Sequence, residues 1–396
     1  MGERSLEHLL RPHTGGVGLD PFAVEPRRAQ VVWSELPAGR HHLVLDACSG
    51  GAPRRMFEVE GTDGPGAIEL DELDPGTTYR ADLAGSSRRF HTLPDPPGGE
   101  LFRFATISDL HLGRGDRPYR GPLAHVGTHE HTARHVGTVV QPVDRQLICA
   151  TAAIDEAIAW GAQLLVVKGD LCEESHDWIW DQAAELLGSL PIPVLILPGN
   201  HDTGKLRQFE PEVGGAERGL HVTRGVDHHD VPGLRLLLVD STRPGNGWGA
   251  VERHSEAAAD LASEAGAGVF VATHHHPQRL SLPLFWPHGI PGPDATSFAR
   301  TLAAANPAAL VSSGHTHRCR RREVRGVPWT EVAATNHFPG VWAGYQVHEG
   351  GLTQVVRRIA RPEALTWTER TRRVLGGAWA LWATGTRSDR CFTLRW

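Results

Sequence analysis

The segment FATISDLH, residues 104–111, decides the fold because it joins a buried strand to polar residues at the strand's end. Its short apolar run is typical of a strand that is covered on both faces. The run leads directly into Asp109 and His111. Residues i and i+2 of an extended chain point the same way, so these two side chains can share one metal ion. The segment therefore predicts a strand that carries a carboxylate and an imidazole to the edge of a sheet.

Four further apolar segments of strand length, LLVVK, VLILP, VFVAT and ALVSS, end in the same kind of chemistry. The residues that follow them are Gly169-Asp170, Gly199-Asn200-His201-Asp202, His274-His275-His276-Pro277 and Gly314-His315-Thr316-His317. Helical stretches separate several of the strands, which predicts an α/β fold. Ligands of open α/β sheets bind beyond the carboxyl ends of the strands, so we expect all five segments to converge on one site.

The candidate ligands are carboxylates, imidazoles and one amide, without cysteine. This mixed nitrogen and oxygen set suits Mn, Fe, Zn or Ni and does not suit a structural thiolate zinc site. Two divalent ions carry about four positive charges, and Asp109, Asp170 and a hydroxide carry about three negative ones. About one positive charge therefore remains at the site. A positive site with open coordination positions suits a phosphate.

Composition restricts the class of protein. The 396 residues favour two domains, and 40 basic residues against 46 acidic ones give a formal charge of −6. A mildly acidic chain is a poor general binder of nucleic acid. The five cysteines are scattered, and no signal peptide or membrane-length apolar run is present. These features predict a cytoplasmic protein without membrane contact, and they leave the oligomeric state open.

The pattern of short strands, linkers and helices divides the chain into four predicted parts. These are a lead-in (1–24), a small β-sandwich (25–96), an α/β domain (100–360) and a C-terminal extension of undefined structure (361–396). The run LDPGTTY ending at Tyr79 resembles the tyrosine-corner stretch of fibronectin type III domains, and Trp33 fits the same family. The β-sandwich has no ligand motif. We therefore expect it to serve protein contact and not catalysis, and a chain starting near Glu100 to keep its metals.

The ordered motifs DxH, GD, GNHD, HxP and GHTH resemble the calcineurin-like metallophosphoesterase superfamily. They are most similar to the class III cyclic-nucleotide phosphodiesterases and related bacterial phosphodiesterases. The resemblance covers roughly residues 100–350 and implies a four-layer αββα sandwich with two divalent or mixed-valence transition metal ions. By this resemblance the ligands are Asp109, His111 and His317 for one ion, Asn200, His275 and His315 for the other, and Asp170 between them.

Within the histidine triplet, the resemblance favours His275, because the family's ligand usually lies two residues before the proline. It also implies that His201 donates a proton or contacts the phosphate, with Asp202 orienting it, and that a hydroxide bridging the ions is the nucleophile. Purple acid phosphatases likewise place a β-domain before this fold. They carry Gly and Tyr where this chain has His111 and Glu173, so the sequence favours the phosphodiesterase branch.

The sequence thus predicts metal-dependent hydrolysis of a small-molecule phosphoester, with a phosphodiester, such as a cyclic nucleotide, as the first candidate. A phosphomonoesterase on the same site stays open, because the motifs do not describe the pocket. A non-catalytic scaffold is disfavoured since all seven ligands are present, and a nuclease is disfavoured by the acidic balance.

Two features of the α/β domain allow two interpretations each. The insertion 112–140 carries His125, His129, His131 and His135, and it fits either a lid over the substrate or a solvated surface loop. Glu173 fits an ordinary acidic residue at the start of a helix better than a catalytic group.

Overall fold

The computed structural model describes residues 17–48, 53–114, 144–204, 209–278 and 287–396. The four histidines of the insertion lie outside these residues, so both interpretations of that segment stay predictions. No helix in the described ranges combines the length and the apolar character that crossing a membrane requires.

Two antiparallel sheets form the N-terminal region, in the orders β1-β2-β5 and β4-β3-β6-β7. Their strands are β1 (Asp20–Val24), β2 (Ala29–Leu36), β3 (Gly39–Ala47), β4 (Arg55–Gly61), β5 (Gly64–Leu70), β6 (Thr78–Leu83) and β7 (Ser86–His91). Trp33 and Tyr79 lie in the core between the sheets, and the backbone N–H of Asp74 donates to the Tyr79 hydroxyl at 2.8 Å. The segment predicted as a lead-in contains β1, because Phe22 and its apolar neighbours pack into the protein.

Two six-stranded mixed sheets form the centre of the α/β domain, and they are called the first sheet and the second sheet below. The first has the order β10-β9-β8-β17-β18-β19, and β8, β9 and β10 are parallel. Its strands are β8 (Glu100–Ile107), β9 (Leu165–Lys168), β10 (Val194–Leu197), β17 (Val341–His348), β18 (Gly351–Arg358) and β19 (Cys391–Arg395).

The second sheet has the order β11-β12-β13-β14-β16-β15, in which β12, β13, β14 and β16 are parallel. Its strands are β11 (Val226–Val231), β12 (Leu234–Val239), β13 (Gly268–Ala272), β14 (Ala309–Ser313), β15 (Arg320–Val324) and β16 (Val327–Glu331).

Helices cover the outer faces of both sheets. They are α1 (Arg145–Ala159), α2 (Asp177–Gly188), α3 (Pro211–Ala216), α4 (Ser255–Ser263), α5 (Gly292–Ala305), α6 (Pro362–Arg370), α7 (Ala378–Thr384) and α8 (Arg387–Arg390), and 3₁₀ turns span Glu252–His254 and Thr371–Gly377. Alternate residues of a strand face opposite sides. Phe104 accordingly packs between the sheets on Phe270 and Tyr345, whereas Ile107 packs under the helices. The predicted αββα sandwich and the all-β region before it are confirmed.

The C-terminal extension is built into the first sheet. Its last strand, β19, pairs with β18 antiparallel over five residues. The N-terminal region contacts the same sheet through the buried Arg357 guanidinium, which forms ion pairs with Glu25 and Glu69. The Gln30 side chain bonds both backbone groups of Arg358. The two ends of the described chain therefore complete one structure with the α/β domain between them.

Glu331, at the end of β16, is buried between two arginines. Its carboxylate accepts from Arg318 Nε at 2.7 Å and from Arg322 Nη2 at 2.8 Å. Burial alone would raise the pKa of Glu331, but His276 and the two arginines outweigh burial and lower it to about 2. A carboxyl with a depressed pKa stabilises the fold above its unfolded value of 4.5, and this contribution is lost as pH falls toward 2.

We expect Glu331→Gln to lower the free energy of unfolding by about 3–5 kcal/mol at pH 7, because it leaves two buried arginines without their carboxylate. The loss should shrink as pH falls from 4.5 to 3, because the unfolded chain takes up a proton on this carboxyl in that range while the folded chain keeps it ionised until about pH 2. Urea unfolding at pH 7, 4 and 3 measures both effects, with the exposed Glu323→Gln as control. A loss that is constant from pH 7 to 3 would contradict the charged pair.

Candidate metal centre

Strained backbone turns hold the polar residues that follow the strands. Non-glycine residues rarely adopt positive φ angles, and such strain tends to persist at functional sites. Nine non-glycine residues in the described ranges do so, and five are candidate ligands. These five are Asp109 (56°), His111 (49°), Asp170 (52°), His315 (65°) and His317 (52°). The turns therefore set the direction of the ligand side chains at an energetic cost.

Asp109, His111 and His317 form a first cluster at the ends of β8 and β14. His317 Nε2 lies 3.3 Å from Asp109 Oδ1 and 3.2 Å from His111 Nε2. The Oδ2 atom of Asp170 lies 3.8 Å from His111 Nε2. Two imidazole nitrogens and two carboxylates thus lie close enough together to bind one metal ion.

Asn200, His274 and His315 form a second cluster on the other side of Asp170. His274 Nε2 lies 3.2 Å from both Asn200 Oδ1 and His315 Nδ1. It also lies 3.3 Å from Asp170 Oδ2, the same oxygen that faces the first cluster. Asp170 therefore stands between two groups of potential ligand atoms.

Two residues of the histidine triplet, His274 and His275, lie within reach of His315, so His275 as a ligand stays a prediction. Successive residues beyond β13 point in different directions, and it is His274 that reaches Asp170 and Asn200. His275 instead lies against Ser241, with its Nδ1 2.9 Å from the hydroxyl oxygen. One of its ring nitrogens lies within 4.8 Å of ligand atoms of His274 and His315, so His275 also lines the second cluster.

The second ring nitrogen of each of these histidines is held by a neighbouring group. His111 Nδ1 lies 2.9 Å from Glu173 Oε2, and His274 Nδ1 donates to the backbone oxygen of Lys168 at 2.7 Å. Such partners set the tautomer and the ring direction of metal-binding histidines. In both residues Nε2 is left for an ion.

The same arrangement holds for the two histidines of the GHTH motif. His315 Nε2 donates to the backbone oxygen of His288 at 2.8 Å, which leaves Nδ1 facing the second cluster. His317 Nδ1 lies 3.0 Å from His337 Nδ1, which leaves Nε2 facing the first cluster. All four rings are thus oriented toward Asp170 or Asp109.

Buried negative charge makes the clusters suited to cations. Burial raises the pKa of Asp170, but His274 and His201 outweigh burial and hold that pKa well below its usual value. Burial lowers the pKa of His274, yet Asp170 overcomes this and raises it to about 9. Burial lowers the pKa of His315, which keeps that ring neutral and able to bind a metal. The donor set and its electrostatics fit two transition metal ions.

His201 lies at the cleft beside the first cluster. Its backbone N–H donates to Asp170 Oδ1 at 2.9 Å, and its Nδ1 donates to the Glu173 backbone oxygen at 2.7 Å. Burial lowers the pKa of His201, but the Asp170 and Glu173 carboxylates exceed that effect and raise it. The ring is therefore held with Nε2 as the nitrogen that can exchange a proton.

Asp202 does not orient the His201 ring, in contrast to the sequence-based expectation. Its carboxylate turns away and accepts from the backbone N–H groups of Cys172 at 2.9 Å and Gly199 at 2.8 Å. Burial and the charge of Asp170 raise the pKa of Asp202 to about 7. Asp202 thus ties together the two loops that carry Asp170 and Asn200.

Sequence reasoning missed His288 and His337, and it assigned Glu173 no contact with a ligand. Glu173 supports His111, and its position three residues after Asp170 was the only signal for it. His288 and His337 come from segments without a motif, and only the fold brings them to His315 and His317. The cleft between the clusters is also lined by Arg114, its one arginine or lysine among the described residues.

Comparison with known proteins agrees with this geometry. The family model described as calcineurin-like phosphoesterase matches residues 102–319, more than half of the chain. A relative named as a probable cyclic nucleotide phosphodiesterase, from Psychrobacter sp. (strain PRwf-1), is 26% identical over 221 residues. That match covers 52% of this chain and 62% of the relative, so the chain spans less than two thirds of the relative's length.

Two solved structures are similar to this chain at low identity. A purple acid phosphatase from yellow lupin (Lupinus luteus) is 12% identical, with a TM-score of 0.44 over 87% of this chain and 72% of that chain. A dimetal phosphatase from Danio rerio is 13% identical, with a TM-score of 0.45 over 66% of this chain and 97% of that chain.

The chain belongs to the calcineurin-like phosphoesterase family. The fold of this family implies a dinuclear metal centre with clusters of histidine and aspartate ligands.

Proposed function

We propose that the chain hydrolyses a small-molecule phosphodiester at a centre that holds two transition metal ions. The first ion would be held by Asp109, His111 and His317, the second by Asn200, His274 and His315, and Asp170 would contact both. The observation that carries this proposal is the position of Asp170 Oδ2, 3.8 Å from His111 Nε2 and 3.3 Å from His274 Nε2. Metal ions bound there would activate water and neutralise phosphoryl charge.

The histidine assignment replaces His275 with His274. His274 offers Nε2 toward Asp170 while its Nδ1 is fixed by the Lys168 backbone oxygen. The identity of the ions, among Mn, Fe, Zn and Ni, follows only from the donor types. The cytoplasmic location and the fibronectin-like nature of the β-region stay predictions.

A diester is supported by the relative, which is named as a probable cyclic nucleotide phosphodiesterase. It is also supported by His111 and Glu173, which occupy the positions that differ in purple acid phosphatases. A nucleic acid substrate fits less well. Arg318 and Arg322, which follow the GHTH motif, are turned inward onto Glu331 and do not form an open basic surface. A small phosphoester is therefore the better candidate.

Phosphomonoester hydrolysis is the second candidate because of Arg114. This permanently charged side chain lines the cleft beside His111 and His201. A monoester carries more negative charge than a diester. The charge of Arg114, added to that of the two metal ions, therefore favours a monoester.

The test is a panel of diesters, cyclic nucleotides and monoesters, assayed with protein loaded with Mn²⁺, Zn²⁺ or Ni²⁺ and with metal-free protein. We expect the highest kcat/KM with a diester, and loss of turnover after chelation. Preference for monoesters would select the second candidate, and turnover of neither class would refute both.

We expect His201→Ala to slow hydrolysis of esters with alkoxide leaving groups by about 10²–10⁴-fold, because a positioned imidazolium can protonate the departing oxygen. With nitrophenyl esters, whose leaving group departs without a proton, the loss should be much smaller. Elemental analysis should show unchanged metal content. Equal losses on both ester types would contradict the general-acid role and leave His201 as a binding or structural residue.

A further inference from the structure

The loop of residues 335–340, here called the clamp loop, contacts both segments that supply the first cluster. Asn336 Nδ2 donates at 2.8 Å to the backbone oxygen of Leu110, the residue between Asp109 and His111. His337 stacks on His317, with ring centroids 4.9 Å apart and Nδ1 atoms 3.0 Å apart. The clamp loop lies beyond residues 102–319, the region that the family model matches.

A segment near the C-terminus holds the clamp loop in turn. The segment spans residues 371–384, which comprise the last 3₁₀ turn and α7. Thr371 Oγ1 accepts from the Phe338 backbone N–H at 2.6 Å, and Trp379 Nε1 donates to the Phe338 backbone oxygen at 3.0 Å. Phe338, Trp379 and Ala383 share a small buried cluster. Both backbone groups of Phe338, the residue after His337, are therefore occupied by this segment.

The same C-terminal segment also contacts the chain just beyond the GHTH motif. The backbone N–H of Cys319, two residues after His317, donates to the Ala383 backbone oxygen at 2.8 Å. His317 is thus restrained through its own chain and through the ring of His337.

We propose that Asn336 and His337 are positioning residues for the first metal ion, and that the C-terminal segment 371–384 keeps them in place. The inference rests on the proposed two-ion function. A histidine ligand needs its second nitrogen held, and loss of such a partner typically weakens metal binding about 10–100-fold. The second cluster has its own partners, the backbone oxygens of Lys168 and His288, so only one ion should be affected.

His337→Phe tests the inference with Mn²⁺ alone as the probe. The variant keeps a ring against His317 but removes the nitrogen that faces it. Calorimetric titration of metal-free protein should show one Mn²⁺ bound about 10–100-fold more weakly and the other unchanged. His348→Phe is the matched control: His348 is also buried, but it pairs with Glu100 at the far end of β8 from Asp109. It should leave both affinities unchanged.

Thr371→Val tests the second part of the inference and keeps it falsifiable if His337→Phe does not fold. Valine keeps the shape of Thr371 and removes the acceptor for Phe338. We expect about 2–10-fold weaker binding of the same ion, which is the worth of one hydrogen bond. Thr384→Val removes a hydroxyl that donates to Ala380 within α7, and it should change neither affinity.

Wild-type affinities in both His337→Phe and Thr371→Val would overturn the inference and leave the two-ion function intact. Equal weakening of both ions would also overturn it, since that result indicates general loss of structure. A wild-type protein that binds fewer than two Mn²⁺ ions would instead refute the proposed function on which the inference rests.

Discussion

Replacing Asp170 with alanine is expected to abolish turnover and to weaken the binding of both metal ions. The reason is that one carboxylate oxygen faces His111 of the first cluster and His274 of the second. The substitution also removes the acceptor of the His201 backbone N–H. Loss of charge stabilisation worth several kcal/mol corresponds to at least about 10³-fold in kcat/KM.

Elemental analysis after equilibration with buffered Mn²⁺ measures the effect on metal content. Asn200→Ala should lose mainly one ion, because Asn200 contacts His274 and lies in the second cluster only. The exposed Asp260→Asn, on α4, controls for the change in net charge. Two retained ions and wild-type turnover in Asp170→Ala would show that Asp170 is not shared.

Removing the N-terminal β-region is expected to unfold the chain, and not merely to leave a smaller active domain. A chain that begins at Gly98 loses both carboxylates that contact the buried guanidinium of Arg357. An uncompensated buried charge costs about 3–5 kcal/mol, a large part of the 5–15 kcal/mol that stabilises a typical domain. The cut also removes Ala23 from the small buried cluster that it forms with Val355 and Cys391.

Thermal unfolding and size-exclusion chromatography of the shortened chain test this expectation. Glu25→Gln isolates the buried ion pair in the full chain and should lower stability by about 3 kcal/mol, since Arg357 keeps Glu69. Glu35→Gln, at an exposed position of β2, should change stability little. A shortened chain that melts within a few degrees of the full chain would restore the view of the β-region as a separable domain.

The convergence of strands on one site could be predicted from the sequence, because a strand's side-chain direction and its carboxyl end follow from the order of residues. Asp109, Asp170 and Asn200 come directly after apolar runs, so the parallel sheets carry them to one edge. The same logic brings in His315 and His317 from β14.

The choice between His274 and His275 could not be predicted in this way. Both follow β13 directly, and which ring turns toward Asp170 depends on the path of the backbone beyond the strand. His274 is drawn inward by a hydrogen bond to the Lys168 backbone, 106 residues away in sequence. The contacts of His337 and Glu173 could not be predicted for a related reason, because each residue acts only through the ring that it holds.

The C-terminal strand β19 was missed because it is short and follows a stretch rich in arginine and tryptophan. Its partner, β18, is already paired with β17 in a hairpin, so the sequence around β18 does not indicate a further neighbouring strand. Pairing across the sheet, and not local pattern, decides that these residues form a strand.

The position of β19 also constrains how the protein is made. The first sheet holds β8, the strand that carries Asp109, yet its edge cannot close until residues 391–395 have left the ribosome. Until then, the backbone N–H of Val24 also lacks its acceptor, the Cys391 sulfur, which lies 367 positions away in sequence. Contacts of such long range form late and slow folding. The nascent chain therefore exposes an open sheet edge until residues 391–395 emerge, and this edge is where we expect misassembly to begin.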